Sequence, residues 1–215
     1  MSGVVSGRSN IYNASARAKA RKASLIDQTR MRQLLQLGPE SIGASISELG
    51  YRNEMDIYAT RMSGADAVEA ALFHNLDNDL AEVLHFCQGP LKSIVSVYVE
   101  RFAYEKAKTV LRAVNGGCSF ELIESQILPS ENPMNASWLD IVRNVETVHD
   151  AAAAMEGTPW GRELSKLSDS DATLEQMEDA LDRQYYDYAL KISKGKDSNI
   201  HLMKYIRTEI DHRNI

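Results

Sequence analysis

Ile94-Val95-Ser96-Val97-Tyr98-Val99 is the stretch on which the fold turns. It is mostly β-branched, the composition of a strand. Followed onward, however, its apolar positions fall into two adjacent four-residue series. One is Ile94, Tyr98, Phe102, Val110 and Val114; the other is Val95, Val99, Ala103, Ala107 and Leu111. A strand does not carry such a pattern for about twenty residues, so period and length decide for helix. Two neighbouring stripes make a wide apolar face, which predicts a helix packed between at least two others. Asn115-Gly116-Gly117 ends it.

Outward from this segment, nearly every long stretch reads the same way. Ile11 to Leu37 is built of good helix formers and closes at Gly38-Pro39. Ser41 to Leu49 makes a short helix before a Gly50-Tyr51 turn. Ser63-Gly64-Ala65-Asp66 opens a helix with Val68, Leu72, Leu76, Leu80 and Leu84 at four-residue spacing; Gly89-Pro90 stops it. His85, in its last turn, suits the negative end of the helix dipole. Past a loop holding Pro129 and Pro133, Trp138 to Met155 is the next expected helix, followed by a Gly157–Gly161 turn. Leu174 to Ile192 is another, and a last helix follows the Lys194–Ser198 turn. No stretch reads convincingly as a strand, and the fold class is all-α.

The chain also overlays on itself. Val68-Glu69-Ala70-Ala71-Leu72-Phe73-His74-Asn75-Leu76 returns as Met177-Glu178-Asp179-Ala180-Leu181-Asp182-Arg183-Gln184-Tyr185, 109 residues on. Tyr98 to Tyr104 matches Tyr205 to Asp211, 107 residues on. The agreement lies in apolar spacing and in the order of two helices. It is too long for a solenoid period and predicts a duplicated helical subdomain, residues 11–125 and then 126–215. In the first copy the second helix runs on through Lys108 to Arg112, whereas the chain ends at Ile215, so the second copy is expected to be truncated. Leu202, Ile206 and Ile210, with Met203 beside them, would then leave an apolar flank free to self-associate.

Composition, 44% hydrophobic and 25% charged, is that of an ordinary soluble protein. No apolar run approaches the ~18 residues of a membrane span. Met1 to Arg8 lacks the apolar segment of a signal peptide, so a cytoplasmic location is expected. Cys87 and Cys118 are isolated, without the spacing of a disulfide framework or thiolate zinc site. A net charge of −6 argues against general nucleic-acid binding. Yet Arg8, Arg17, Lys19, Arg21 and Lys22 all precede the first acidic residue, Asp27. A basic helix ahead of an acidic body reads as a contact for anionic lipid or an acidic partner, or else as a solvated face.

One constellation resembles a metal site. Glu82/His85 and Glu146/His149 are both Glu-x-x-His on expected helices, which sets carboxylate and imidazole on one face. With a Glu from each of two further helices they would make a ferritin-like di-metal centre. The two pairs fall at unequal places in the repeat, however, and His85 already has a role at a helix end. There is no phosphate-cradling Gly-rich loop, no GxSxG and no HExxH. Cys87 and His85, two apart on a helix, diverge. Catalytic, cofactor and metal residues are therefore expected to be absent, leaving an architectural protein or a free-standing helical adaptor.

The repeat and its flanks carry a family resemblance. Tyr12-Asn13-Ala14-Ser15-Ala16-Arg17-Ala18-Lys19-Ala20 is similar to the N-terminal Tyr-x-x-Ala-x-x-Arg helix of the C subunit of archaeal A-type and bacterial V/A-type rotary ATPases, homologous to the d subunit of the eukaryotic vacuolar ATPase. Leu49-Gly50-Tyr51 resembles that family's turn after its second helix, Leu111-Arg112 its closing Leu-Arg, and Leu128-Pro129 the Leu-Pro that follows. Ala107 stands where Asn is common; Glu209 to Ile215 keeps the later Glu-x-Asp-x-x-Asn intact. The resemblance covers about Ile11 to Ile215. It implies three similar subdomains in a pseudo-threefold funnel, of which this chain holds the first and most of the second. It further implies a non-catalytic central-stalk (rotor) part on the cytoplasmic face of the membrane. There it would join the central-shaft subunits to the proteolipid ring, with H⁺ or Na⁺ as the coupled ion. Arg17, Arg21 and Lys22 are then candidates for a rotor or membrane contact.

Overall fold

Every regular element of the computed structural model is helical among the residues it describes, 8–195 and 199–213. Met1–Gly7, Lys196–Ser198 of the expected last turn and Asn214–Ile215 of the closing motif lie outside them. The helices are α1 (Ile11–Ser24), α2 (Gln28–Leu34), α3 (Pro39–Ile46), α4 (Arg52–Tyr58), α5 (Gly64–Phe86) and α6 (Pro90–Asn115). They continue as α7 (Phe120–Leu122), α8 (Ala136–Val142), α9 (Val148–Ala154), α10 (Leu174–Lys194) and α11 (Ile200–Arg213). The Ile94–Val99 stretch lies inside α6, so its β-branched composition yields to tertiary packing.

Two expected helices are broken, each by a cap. The 11–37 run is interrupted where Leu25 takes an extended backbone and the Asp27 carboxylate accepts from the Arg30 N–H at 2.8 Å, starting α2 afresh. The 138–155 run splits into α8 and α9 because Thr147 and Asp150 form a capping box, each side chain accepting from the other's backbone N–H. In both places helix propensity continues but a short polar side chain offers the backbone a better start. Between α3 and α4 the chain kinks at Gly50, whose φ of 108° is open to glycine at little cost.

The main core gathers around α6 and α10, with Leu128, Trp138, Val142, Ala151, Met155 and Leu164 closing it. A second core, Leu34, Ile46, Met55, Tyr58, Ala67 and Ala71, lies among α2 to α5. On α6 the buried apolar set is Val97, Tyr104, Ala107, Val110, Leu111, Ala113 and Val114, with Lys108 buried among them. Both stripes are thus occupied toward the C-terminal half, whereas Tyr98 and Phe102 stay exposed at 42% and 38%. On α5 the deeply buried face is Ala67 and Ala71, one position off the leucine series. Small side chains let α5 approach α3 and α4 closely, so Val68, Leu72 and Leu76 line a flanking groove.

On α11, Leu202 and Ile206 are buried and Ile210 packs against the main core. The expected uncovered flank at these positions is therefore corrected: α10 and the core occupy it.

Burial pushes the phenols of Tyr58 and Tyr104 up to about 12. A phenol held protonated in the fold but ionising near 10 when unfolded stabilises the fold fully below pH 10. That contribution disappears as pH rises through about 12. Helicity followed by circular dichroism should hold to pH 10 and fall steeply by pH 12. Full tyrosinate absorbance ahead of any helix loss would contradict this.

Candidate functional site

α1 is held to the body with very little apolar burial: Ala14 is its one buried residue. Polar pins do the rest. Asn10 donates to the Phe86 carbonyl at 2.7 Å and accepts from the Gln88 N–H at 3.0 Å, and Ser9 accepts from the Leu91 N–H at 3.2 Å. The Arg17 guanidinium stands 5.6 Å from the centre of the Phe86 ring, a cation–π contact. Arg21 forms ion pairs with both Asp79 and Glu82 of α5. Of the three candidate contact residues, Arg17 and Arg21 thus lie against the body, and Lys22 is exposed. Lys19, also exposed, lies on the far side of the helix from Ala14.

The two Glu-x-x-His pairs are not brought together as a metal site. Glu82 is engaged by Arg21, and His85 is exposed in the last turn of α5. Glu146 precedes the Thr147 cap of α9, so it shares no helical face with His149; the capping box displaced the expected geometry. Among the described residues no three His, Cys, Asp or Glu side chains cluster as a metal centre requires. The Cys87 thiol is buried and pushed up by desolvation, the opposite of an activated nucleophile. An open groove of roughly 550 Å³ beside α5 is lined by Ile42, Val68, Leu72, Phe73 and Leu76, with little polar chemistry.

What sequence reading missed is the polar seam along α6. α6 and α10 run antiparallel, and Arg112 meets Glu178 through two bonds of 2.6 Å. One turn away, Lys108 meets Asp182 at 2.6 Å. Beyond these, the Ser96 and Tyr188 hydroxyls bond at 2.8 Å. Arg101 reaches across to Glu209 of α11 at 2.6 Å, and Glu209 also accepts from the Tyr205 hydroxyl. On another side Lys106 binds Asp77 at 2.6 Å and Asn135 at 2.9 Å, and Asn132 donates to the same carboxylate. The signal available in the sequence was spacing alone: Lys108 and Arg112 lie four apart, as do Glu178 and Asp182. Arrangements of this kind fix register and stiffness and move no protons or electrons.

Among the described residues no helix is long and apolar enough to cross a membrane. Comparison with known proteins gives the family. The model of the ATP synthase (C/AC39) subunit family matches residues 14–215. The C subunit of the A-type ATP synthase of Haloquadratum walsbyi is 28% identical over 215 residues, covering 98% of this chain and 61% of that protein. Its namesake in Methanococcoides burtonii is 29% identical over 211 residues, covering 96% of this chain and 58% of that protein. The Archaeoglobus fulgidus protein of the same name is 24% identical over 200 residues, or 93% and 57%. The chain therefore spans about three fifths of the length of the curated relatives it matches. No solved structure gives a significant match. With the match running from α1 to the end of α11, the chain belongs to the ATP synthase (C/AC39) subunit family.

Proposed function

We propose that this chain serves as a non-catalytic central-stalk (rotor) subunit of a V/A-type rotary ATPase or ATP synthase. It would sit as a peripheral protein on the cytoplasmic face of the membrane, between the central shaft and the proteolipid ring. There it would pass torque for ATP-coupled H⁺ or Na⁺ transport. The observation that carries this reading is the family match over residues 14–215. The polar seam supports it, because a part that transmits torque needs stiff joints and the α6–α10 joint is clamped along most of its length.

The same reading treats residues 11–125 and 126–215 as two copies of one helical subdomain in a pseudo-threefold funnel. In its support, Tyr98 and Tyr205, equivalent in the repeat, meet with ring centres 5.6 Å apart, as residues beside a rotation axis do. On this view α1, through Arg17, Arg21 and Lys22, belongs to the contact with rotor or membrane, the two arginines by holding the helix on α5.

Immobilised shaft subunits and detergent-solubilised ring should each retain the chain in a pull-down at moderate salt. Retention by neither would favour a free-standing helical adaptor. About two iron or manganese per chain by elemental analysis, the stoichiometry of a di-metal centre, would replace the reading altogether.

A further inference from the structure

We infer that the outward face of α1 is a docking surface for the anionic headgroups of a phospholipid bilayer, with Lys19 and Lys22 as the binding charges and Tyr12 as the interfacial side chain. The inference deepens the membrane placement proposed above and rests on it.

α1 is not held as a core helix is. A helix kept in place by a core would bury a stripe, whereas α1 buries Ala14 alone and is pinned by Asn10, Arg17 and Arg21. Such a helix is positioned for what its other face meets. That face is defined by geometry: Ala14, Arg17 and Arg21 point toward α5. Tyr12, Ala16, Lys19 and Ala23 recur at helical spacing on the opposite side, with Lys22 at its edge.

Charge points the same way. The first 26 residues carry five positive charges and no negative one, in a chain of net −6, so the remainder carries −11. An anionic surface would be repelled by the body as a whole and attracted by its basic start, to which the exposed Arg30 and Arg32 of α2 add. Screening within about 8 Å at physiological salt lets the near helix dominate.

The side chains of this face suit lipid better than an acidic protein. Arginine, with its planar fork, is the side chain for fixed carboxylate geometry, and here both arginines of α1 are used on the body. The cations left outward are lysines, point charges on flexible stems, flanked on that face by Ala16 and Ala23, which offer no knob for a partner groove. Long lysine stems and a tyrosine suit the headgroup region of a bilayer, where apolar stems stay low and polar tips stay wet. Tyr12 is 91% exposed, with Ile11 at 54% and Leu25 at 55% near the helix ends.

Protein-free vesicles test this without any other subunit. Binding to 7:3 phosphatidylcholine:phosphatidylglycerol vesicles, read by co-sedimentation, should exceed binding to pure phosphatidylcholine. It should collapse near 1 M salt, where the screening length is about 3 Å. Lys19→Ala/Lys22→Ala should weaken it by about 30-fold, at about fivefold for each lysine. Lys194→Ala/Lys204→Ala, which changes net charge equally at exposed positions elsewhere, should leave it unchanged. Equal loss in both double variants, equal binding to the neutral vesicles, or capture by an isolated acidic ring protein in place of lipid would each overturn the inference. A ring and shaft pull-down that survives such a result leaves the rotor reading standing. Vesicle binding with no pull-down would do the reverse.

Discussion

Asp182→Ala should lower stability by about 2 kcal/mol, whereas Glu178→Ala, one turn earlier on the same helix, should cost no more than about 0.5 kcal/mol. Both carboxylates pair with a cation on α6 at 2.6 Å, so distance does not separate them. Burial does. The Lys108 side chain is 4% exposed and the Arg112 side chain 56%. Removing Asp182 leaves an ammonium inside the protein with Glu105 at 3.4 Å as its remaining ion pair. Removing Glu178 leaves a guanidinium that water readily solvates. Removal of one partner of a fully buried pair typically costs about 3–5 kcal/mol; the lower figure here reflects Asp182 being 25% exposed. For a chain of this size the melting midpoint should drop by about 4–8 °C in Asp182→Ala. Lys108→Met/Asp182→Asn, which removes both charges at nearly unchanged side-chain volume, should recover most of it. Equal losses for Asp182→Ala and Glu178→Ala would show that burial is not what sets the strength of this seam.

The seam also marks where sequence reading stops. Helix identity was legible because it is local. The period of α6 outweighed its β-branched composition, and Asn115-Gly116-Gly117 closed it with the Cys118 N–H reaching the Ala113 carbonyl at 3.0 Å. Breaks were less legible, since Asp27 and the Thr147/Asp150 pair interrupt stretches whose propensity continues. Those caps are written in the sequence as short polar residues ahead of an apolar run, a signal that competes with composition. Which face of each helix is buried was legible only in part. The leucine series of α5 is amphipathic but lies beside the buried alanines, because close approach of helices selects small residues over the most apolar ones.

Pairings between distant segments were not legible at all. Lys106 reaches Asp77 and Asn135, and Arg101 reaches Glu209, because two helices pack at one register among many. For α1 the sequence announced the positive charge and was silent on its division. Arg17 and Arg21 face Phe86, Asp79 and Glu82 only because α5 lies alongside. That division is what moves attention from the arginines to Lys19 and Lys22. The family itself was legible because order and spacing of weak motifs survive where single identities do not.

Gly161→Ala should cost about 3 kcal/mol, near the top of the usual range for overpacking. The turn after α9 folds back on itself. The Thr158 N–H and hydroxyl both donate to the Met155 carbonyl, at 3.1 and 2.6 Å, and the Gly161 N–H donates to the Thr158 hydroxyl at 3.0 Å. A Cβ on Gly161 would run into the Met155 carbonyl oxygen and carbon, which are backbone atoms and cannot swing aside. Met155 is itself fully buried in the main core, so the strain has no outlet toward solvent. The next residue back, Trp160, stacks on Trp138 with ring centres 4.7 Å apart and 22° between planes. These are the two tryptophans of the chain, so fluorescence excited beyond the absorption of its nine tyrosines, and the tryptophan bands of the near-ultraviolet circular dichroism, report on this stacked pair. Gly161→Ala should therefore lose the signature of the stacked pair and melt about 6–12 °C lower. Far-ultraviolet helicity should survive below the new midpoint, since α10 is tied to α6 along its own length. Gly38→Ala is the control: its φ is −70° and none of the described residues lies near its would-be Cβ, so the added methyl group meets no clash and should cost less than about 1 kcal/mol, the difference between Gly and Ala at a helix N-cap. A Gly161→Ala protein that keeps the tryptophan signal and melts within about 2 °C of the parent, less than about 1 kcal/mol, would mean that this turn has room the packing denies it.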